Sequence, residues 1–293
     1  MQHADTATDC IAIGYGAMSD QNVGGSGHAA DSDSNIAIGS LAMSGAWADA
    51  KSEQNIAIGV SSMAGAMNDA AYNIAVGNSS LAALISGDRN ISIGFEALTA
   101  ADGAESDNIA IGYNAMATLN NDSSIKNIAI GSNALDAIST NAHTGTIAVG
   151  HNALTALTSG DNNVVMGYEA AKLLTTGEKN VVIGNTAMDA ADGSERYNVA
   201  IGYAAMGQMD EAGNACDYNV AIGAGCLTSG ANVEMLGNIA IGYETLDGTG
   251  TDNQTGTIGI GYRALTSLTS GAGNIAIGYQ AMSAQTDGLR NLA

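Results

Sequence analysis

Few residues of this sequence are of types that do chemistry, and they lie far apart along the chain. The four histidines have no spacing typical of metal ligands, so we expect surface or loop residues. They are His3, His28, His143 and His151. The three cysteines include no Cys-x-x-Cys pair, and we expect small buried thiols rather than a disulfide or a zinc site. They are Cys10, Cys216 and Cys226.

The sequence patterns of common enzyme classes are missing as well. It contains no P-loop, no HExxH, no GxSxG and no GxGxxG segment. The segment Asp31–Asn35, DSDSN, begins like an EF-hand loop, but Ile36 and Ala42 stand where that loop needs glycine and glutamate. We therefore predict that the protein is not an enzyme and holds no cofactor. Weak Ca²⁺ binding by acidic loops is left open.

The chain is strongly acidic. Acidic residues outnumber basic residues by 29 to 8, which gives a net charge of -21. Because such a surface repels phosphate groups, we predict no nucleic-acid binding. No run of about 18 apolar residues occurs, so we predict no membrane insertion. The first residues carry no visible secretory signal.

One apolar pentad, typified by Asn108–Gly112 (NIAIG), recurs fifteen times at intervals of 17 to 25 residues. Internal repetition at a fixed period is typical of solenoids, in which each repeat contacts only its neighbours. We predict one continuous parallel β-solenoid over residues 1–293. Its coils close at Gly14, Gly39, Gly59, Gly77, Gly94, Gly112, Gly131, Gly150, Gly167, Gly184, Gly202, Gly223, Gly242, Gly261 and Gly278.

The middle of the pentad has the pattern of a β-strand. Ile, Val or Met alternates with a small residue, and alternation with a period of two places the two classes on opposite faces. We predict that the branched residues pack inside the rod. The near-constant alanine indicates that the other face is also covered, by more of the same coil or by another chain. The candidate interface residues are Ala37, Ala57, Ala75, Ala110, Ala129, Ala148, Ala200, Ala221, Ala240 and Ala276.

The pentad opens with asparagine in twelve copies. Stacked coils place these amides in register at the strand spacing of ~4.8 Å, where each amide can bond to the next. A structural ladder is the expected role, with a ligand-binding row of amides as the alternative. Its members are Asn35, Asn55, Asn73, Asn90, Asn108, Asn127, Asn163, Asn180, Asn198, Asn219, Asn238 and Asn274.

The rest of each coil begins at the closing glycine, where we expect a tight corner. A small residue and then Leu or Met follow at offsets of three and four, as in Ala115 and Met116. These offsets favour a short helical turn, and a second short strand is the alternative. Each coil therefore has a short strand, a glycine corner, a short helical turn and a polar return loop.

The copies NIAIGYNAM and NVAIGYAAM resemble the head repeats of trimeric autotransporter adhesins of the YadA type. They are equally similar to the NTAIGYNAL arrays of phage tail fibres. The resemblance implies a left-handed parallel β-roll. A pure roll of this kind, with two strands in each coil, is the alternative to a coil with a helical turn. The resemblance also implies three chains side by side, acting as a stalk or a receptor-binding head.

The predicted function is that of a structural or adhesive fibre on a bacterial surface, a virion or an extracellular filament. Asn291 opens an incomplete sixteenth unit over 291–293, so we expect either a piece of a longer fibre or head-to-tail joining into a filament. The expected partners are further copies, as a homotrimer or filament, and a cell-surface glycan or receptor. A glycan-binding or glycan-cleaving β-helix is the alternative function.

Overall fold

The computed structural model describes residues 9–19, 32–47, 51–137, 141–209, 216–228, 233–248, 250 and 253–293. The chain forms two compact units, Met1–Thr146 and Ile147–Ala293. Each unit is a parallel β-solenoid, as the repeat predicts, and each of the fifteen pentads forms a three-residue strand. The single continuous solenoid over residues 1–293 stays a prediction.

The first unit contains seven strands, which pair in parallel with their neighbours in the sequence. Register is exact to the residue, because the middle residue of each strand lies opposite the middle residue of the next, as Ala37 does with Ala57. The strands are β1 (Ile11–Ile13), β2 (Ile36–Ile38), β3 (Ile56–Ile58), β4 (Ile74–Val76), β5 (Ile91–Ile93), β6 (Ile109–Ile111) and β7 (Ile128–Ile130).

The second unit contains a main sheet and a short additional sheet. Its main strands are β8 (Ile147–Val149), β9 (Val164–Met166), β10 (Val181–Ile183), β11 (Val199–Ile201), β13 (Val220–Ile222), β15 (Ile239–Ile241), β17 (Ile258–Ile260) and β18 (Ile275–Ile277). The additional parallel sheet contains β12 (Cys216–Asp217), β14 (Met235–Leu236) and β16 (Gln254–Thr255). The incomplete sixteenth unit adds a bridge between Ile275 and Leu292.

The strands face the opposite way from the sequence prediction. In every main strand after β1 the middle residue is buried, and the residues on either side are half-buried or exposed. The turn segments pack closely on this middle residue, which is small in most strands and valine in β9 and β10. In β5 the Ser92 hydroxyl lies 2.7 Å from the Ser80 hydroxyl of the previous turn. At the middle of β17, a Cβ added to Gly259 would lie 2.8 Å from a Thr245 side-chain carbon.

The predicted helical turn after the glycine is wrong, and no helix occurs among the described residues. The backbone there alternates through the left-handed region, with φ of 53° at Asn114 and 49° at Met116. Asn114 N donates to Phe95 O (3.0 Å) in one neighbouring coil, and Met116 N donates to Ala134 O (3.1 Å) in the other. These bonds replace the i to i−4 bonds of a helix.

The pure two-strand roll is not formed either. A second strand occurs in three coils of the second unit, and it lies before the pentad rather than after the glycine. The offsets of three and four arise from tight turns, because Leu119 N donates to Met116 O at 3.2 Å. Their apolar side chains fill the core opposite the alanines, as Leu98, Met116 and Leu135 do, each with no exposed surface.

Candidate interaction surface

The interior of each unit contains the asparagine ladder that the sequence predicts. Asn108 Oδ1 accepts hydrogen bonds from the backbone N (3.0 Å) and from Nδ2 (3.1 Å) of Asn127. Asn127 Nδ2 also donates to His143 O at 2.9 Å, so the amide joins three coils. All twelve asparagines are fully buried. They bond to backbone groups and to one another in a core closed to solvent, which favours the structural role over a ligand-binding row.

In the second unit the ladder stops at Thr257. Thr257 N donates to Asn238 Oδ1 at 2.9 Å, but the buried Thr257 hydroxyl has no hydrogen-bond partner. A threonine offers no amide to the following coil, where Asn274 begins a new series with Asn291.

We expect Thr257→Asn to stabilise the protein by about 1 kcal/mol, because it removes an unsatisfied buried hydroxyl and continues the amide series. Urea denaturation monitored by circular dichroism measures the change. The exposed Thr255→Asn is the matched control and should shift the free energy of unfolding by less than about 0.5 kcal/mol. Equal effects of the two substitutions would contradict the role given to the ladder.

A carboxyl group lies inside the first unit, where the composition of the acidic return loops gives no sign of one. Glu105 is fully buried; its Oε2 accepts a hydrogen bond from Gly103 N (2.9 Å), and its Oε1 has no partner. Desolvation raises the pKa of Glu105. The residue stands three positions before Asn108, where the backbone turns every side chain inward, as Ser124 and His143 show in the next coils.

Glu105→Gln should stabilise the protein at pH 7 and have little effect at pH 4. Because the pKa of Glu105 is raised in the folded state, its favourable contribution is present below the unfolded-state pKa and is lost as the pH rises through the folded-state pKa. The free energies of unfolding of both proteins across this range provide the measurement. The surface variant Glu96→Gln is the control. A stability difference that does not grow with pH would contradict the assignment.

The surface that the structure makes available is the outward side of the strands. Four positions of each coil point outward, and we call them together the outer strip. They are the residue before the pentad (the leading edge), the two branched strand residues, and the residue after the glycine (the trailing edge). In the first unit Ile58, Ile93 and Ile130 are each 38% exposed. Met166 and Ile277 in the second unit are more exposed still.

Acidic residues are nearly absent from the outer strip, although its leading edge includes the basic residues Arg89, Lys126 and Lys179. Among the described coils it includes two acidic residues, Asp9 and Asp107, although the chain has 29. Asp107 is paired with Arg89 of the neighbouring coil (Nε to Oδ1, 2.6 Å), and this hydrogen bond lowers the pKa of Asp107. The negative charge of the molecule therefore lies on other faces.

Aromatic residues line the trailing edge in many coils, and those in adjacent coils stack. Phe95 lies 5.5 Å from Tyr113, measured between ring centroids, in the first unit. In the second unit Tyr243, Tyr262 and Tyr279 form a continuous stack with centroid distances of 5.5 and 5.3 Å. A further pair lies on the leading edge, where the rings of Tyr197 and Tyr218 are 5.0 Å apart.

The alanines named as a candidate interface lie in the core. All ten have no exposed surface in the single chain, because the turn segments of the same coils cover them. Of the two explanations for a constant alanine, coverage by the same coil is therefore correct, and an interface through these residues is not. The branched neighbours of the alanines form the accessible surface instead.

The residues with catalytic or metal-binding chemistry are not brought together. Cys216 and Cys226 are buried thiols that form no disulfide, as expected, and burial raises the pKa of Cys226 to about 12. His143 is in the core, and His151 stacks on Tyr168 at the trailing edge. No three His, Cys, Asp or Glu side chains of the described residues are grouped so that they could hold a metal ion. His3, His28 and Asp31 lie outside the described residues.

Within the described ranges the structure contains no helix of the length and hydropathy needed to cross a bilayer.

The fold and surface define the chain as a parallel β-solenoid with one main strand per coil. Comparison with protein-family models, with curated proteins and with solved structures finds no match. The similarity of the pentads to adhesin and tail-fibre repeats therefore stays an expectation from sequence.

Proposed function

We propose that the protein is a self-associating segment of a structural or adhesive fibre, and that chains associate through the outer strip. The observation that carries the proposal is the outward row of isoleucine, valine and methionine in each unit. With strands ~4.8 Å apart and about six residues between the two edges, the strip of one unit covers on the order of 700 Å². The aliphatic row at the centre of the strip makes up about half of that area, and exposed apolar patches of a few hundred Å² are often functional.

The size of the strip fits a stable contact between protein chains. Such contacts bury about 800 Å² on each partner, which is close to the area that either unit presents alone. Hydrogen bonds along the stacked coils and the buried amide ladder make each unit a rigid support. Acidic side chains on the remaining faces keep assembled rods soluble and apart.

An adhesive role adds a second class of partner, a cell-surface glycan or receptor, to the proposal. Coils that repeat one surface would bind it through many weak contacts whose effects multiply. Such a fibre would act outside the cell, on a cell surface or a virion. The proposal gives the chain no catalytic step and requires no cofactor.

Native mass spectrometry combined with electron microscopy of the purified chain tests the proposal. We expect masses that are multiples of 29.2 kDa and elongated particles in which chains lie side by side. A chain that remains a single 29.2 kDa species at concentrations up to about 100 μM, far above those at which interfaces of this size saturate, would refute self-association.

A further inference from the structure

The residues at the two edges of the outer strip are related in size within the same coil. The leading edge is glycine in four coils, and in all four the trailing edge is aromatic. The pairs are Gly145 with His151, Gly237 with Tyr243, Gly256 with Tyr262, and Gly273 with Tyr279.

The reverse relation holds in four of the six pentad coils whose leading edge is Tyr, Lys or Arg. Those coils have a small or short residue at the trailing edge. The pairs are Tyr72 with Asn78, Lys126 with Ser132, Lys179 with Asn185, and Tyr218 with Ala224. The other two coils are large at both edges, Arg89 with Phe95 and Tyr197 with Tyr203.

Contacts within one chain do not account for this relation. The two edges of a coil are separated by the whole pentad, about 20 Å of extended backbone. Edge residues instead contact the same edge of the next coil, as Tyr197 does with Tyr218 and Tyr243 does with Tyr262. A leading edge and a trailing edge at the same height can meet only if they belong to two different chains.

The second unit shows the shapes that such a contact needs. A Cβ added at Gly237 or Gly256 would meet no atom within 4 Å, so the leading edge there is an open trough. The trough begins at the exposed ring of Tyr218. At its other end Thr255, Ala272, Gly273, Leu289 and Arg290 line a cavity of about 430 Å³.

The tyrosine stack of the same three coils matches this trough. Tyr243, Tyr262 and Tyr279 project from the opposite edge with one ring per coil, and the three glycines also recur once per coil. The row of tyrosine rings and the row of glycines therefore have the same spacing, one residue per coil, and lie in the same three coils.

We infer that a second copy of this chain lies beside the first, parallel and in register, with its tyrosine stack in the glycine trough. The inference rests on the self-association proposed above and specifies its geometry. The contact joins unlike edges, so it is heterologous and leaves one edge of each chain free for a further copy. An antiparallel pair would reverse the order of coils and lose the match between them.

The test exchanges large and small residues within one coil. Gly256→Tyr fills the trough, and the backbone accepts it because Tyr218 has φ of 62° at the equivalent position, close to the 64° of Gly256. We expect association to weaken at least tenfold in sedimentation velocity, with an unchanged circular dichroism spectrum. Adding Tyr262→Ala to the same chain should restore association. The coil then has tyrosine at its leading edge and alanine at its trailing edge, as the natural coil with Tyr218 and Ala224 has. Tyr262→Ala alone is the control.

Two results would overturn the inference: Gly256→Tyr that associates like the unmodified chain, or a double variant that remains dissociated. If Gly256→Tyr fails to fold, crosslinking replaces it. Chains with Gly256→Cys are mixed with chains carrying Tyr262→Cys or Tyr243→Cys and treated with a short bismaleimide. Tyr262→Cys should crosslink several-fold faster, and equal rates would overturn the register. An unmodified chain that is always monomeric would refute self-association itself, whereas failed rescue in an associating chain refutes only this geometry.

Discussion

Replacing both Ile58 and Ile130 by lysine is expected to convert assembled protein into folded single chains. Each isoleucine is 38% exposed in the single chain and lies in the middle of the outer strip of the first unit. An ammonium group buried there without a partner costs several kcal/mol, so association should weaken at least about 100-fold. The fold should persist, because neither side chain fills the core.

The matched control adds the same two positive charges elsewhere. Ala104→Lys and Asn120→Lys alter exposed loop positions of the same unit, away from the strands. This double variant should keep the mass of the unmodified assembly in sedimentation velocity. If both double variants dissociate to the same extent, net charge rather than the strip controls association.

Gly94→Ala is expected to have the largest effect on stability. Gly94 has φ of 141°, a conformation that L-residues rarely adopt, and an added Cβ would overlap the carbonyl group of Gly112 in the next coil. Because the obstacle is backbone held by interstrand hydrogen bonds, the coils must separate to admit a methyl group. We expect a loss of about 4 kcal/mol or more, at the upper end for single substitutions.

Gly256→Ala is the control for the conformational part of this loss. Gly256 also has a positive φ, but its φ of 64° is one that other residues adopt at equivalent positions, and a Cβ there meets open space. It should lose about 1 kcal/mol. Chemical denaturation measures both variants, and similar losses would show that the close approach of coils at Gly94 is not the cause.

The strands, glycine corners and amide ladder could be predicted because they repeat. Fifteen copies of one pentad define a strand by its alternation, and stacked copies must bring like residues together, as Asn108 and Asn127 show. Alternation defines two faces but not which one is inside. The thickness of the coil decides that, and it depends on how closely the turn approaches the strand, as Ser80 approaches Ser92.

The other differences between the sequence predictions and the structure also arise from backbone geometry that composition and spacing do not reveal. Offsets of three and four indicate a helix only if the backbone is right-handed throughout, whereas Asn114 and Met116 are left-handed. Glu105 belongs to an acidic loop by composition but to the core by its position relative to Asn108. A signal for the outer strip was available, because acidic residues are rare at its edges and edge sizes are related within coils.

The central claim is that the middle residues of the strands face the core and their branched neighbours face another chain. Maleimide labelling of single cysteines tests it most directly, in a chain whose Cys10 is replaced by serine. The account predicts that Ser92→Cys never reacts in the folded protein, and that Ile93→Cys is protected in the assembly. It also predicts that Ile93→Cys reacts as fast as the loop variant Ala104→Cys once Ile58→Lys and Ile130→Lys dissociate the chains. Rapid labelling of Ser92→Cys, or equal labelling of Ile93→Cys in assembled and dissociated protein, would contradict it.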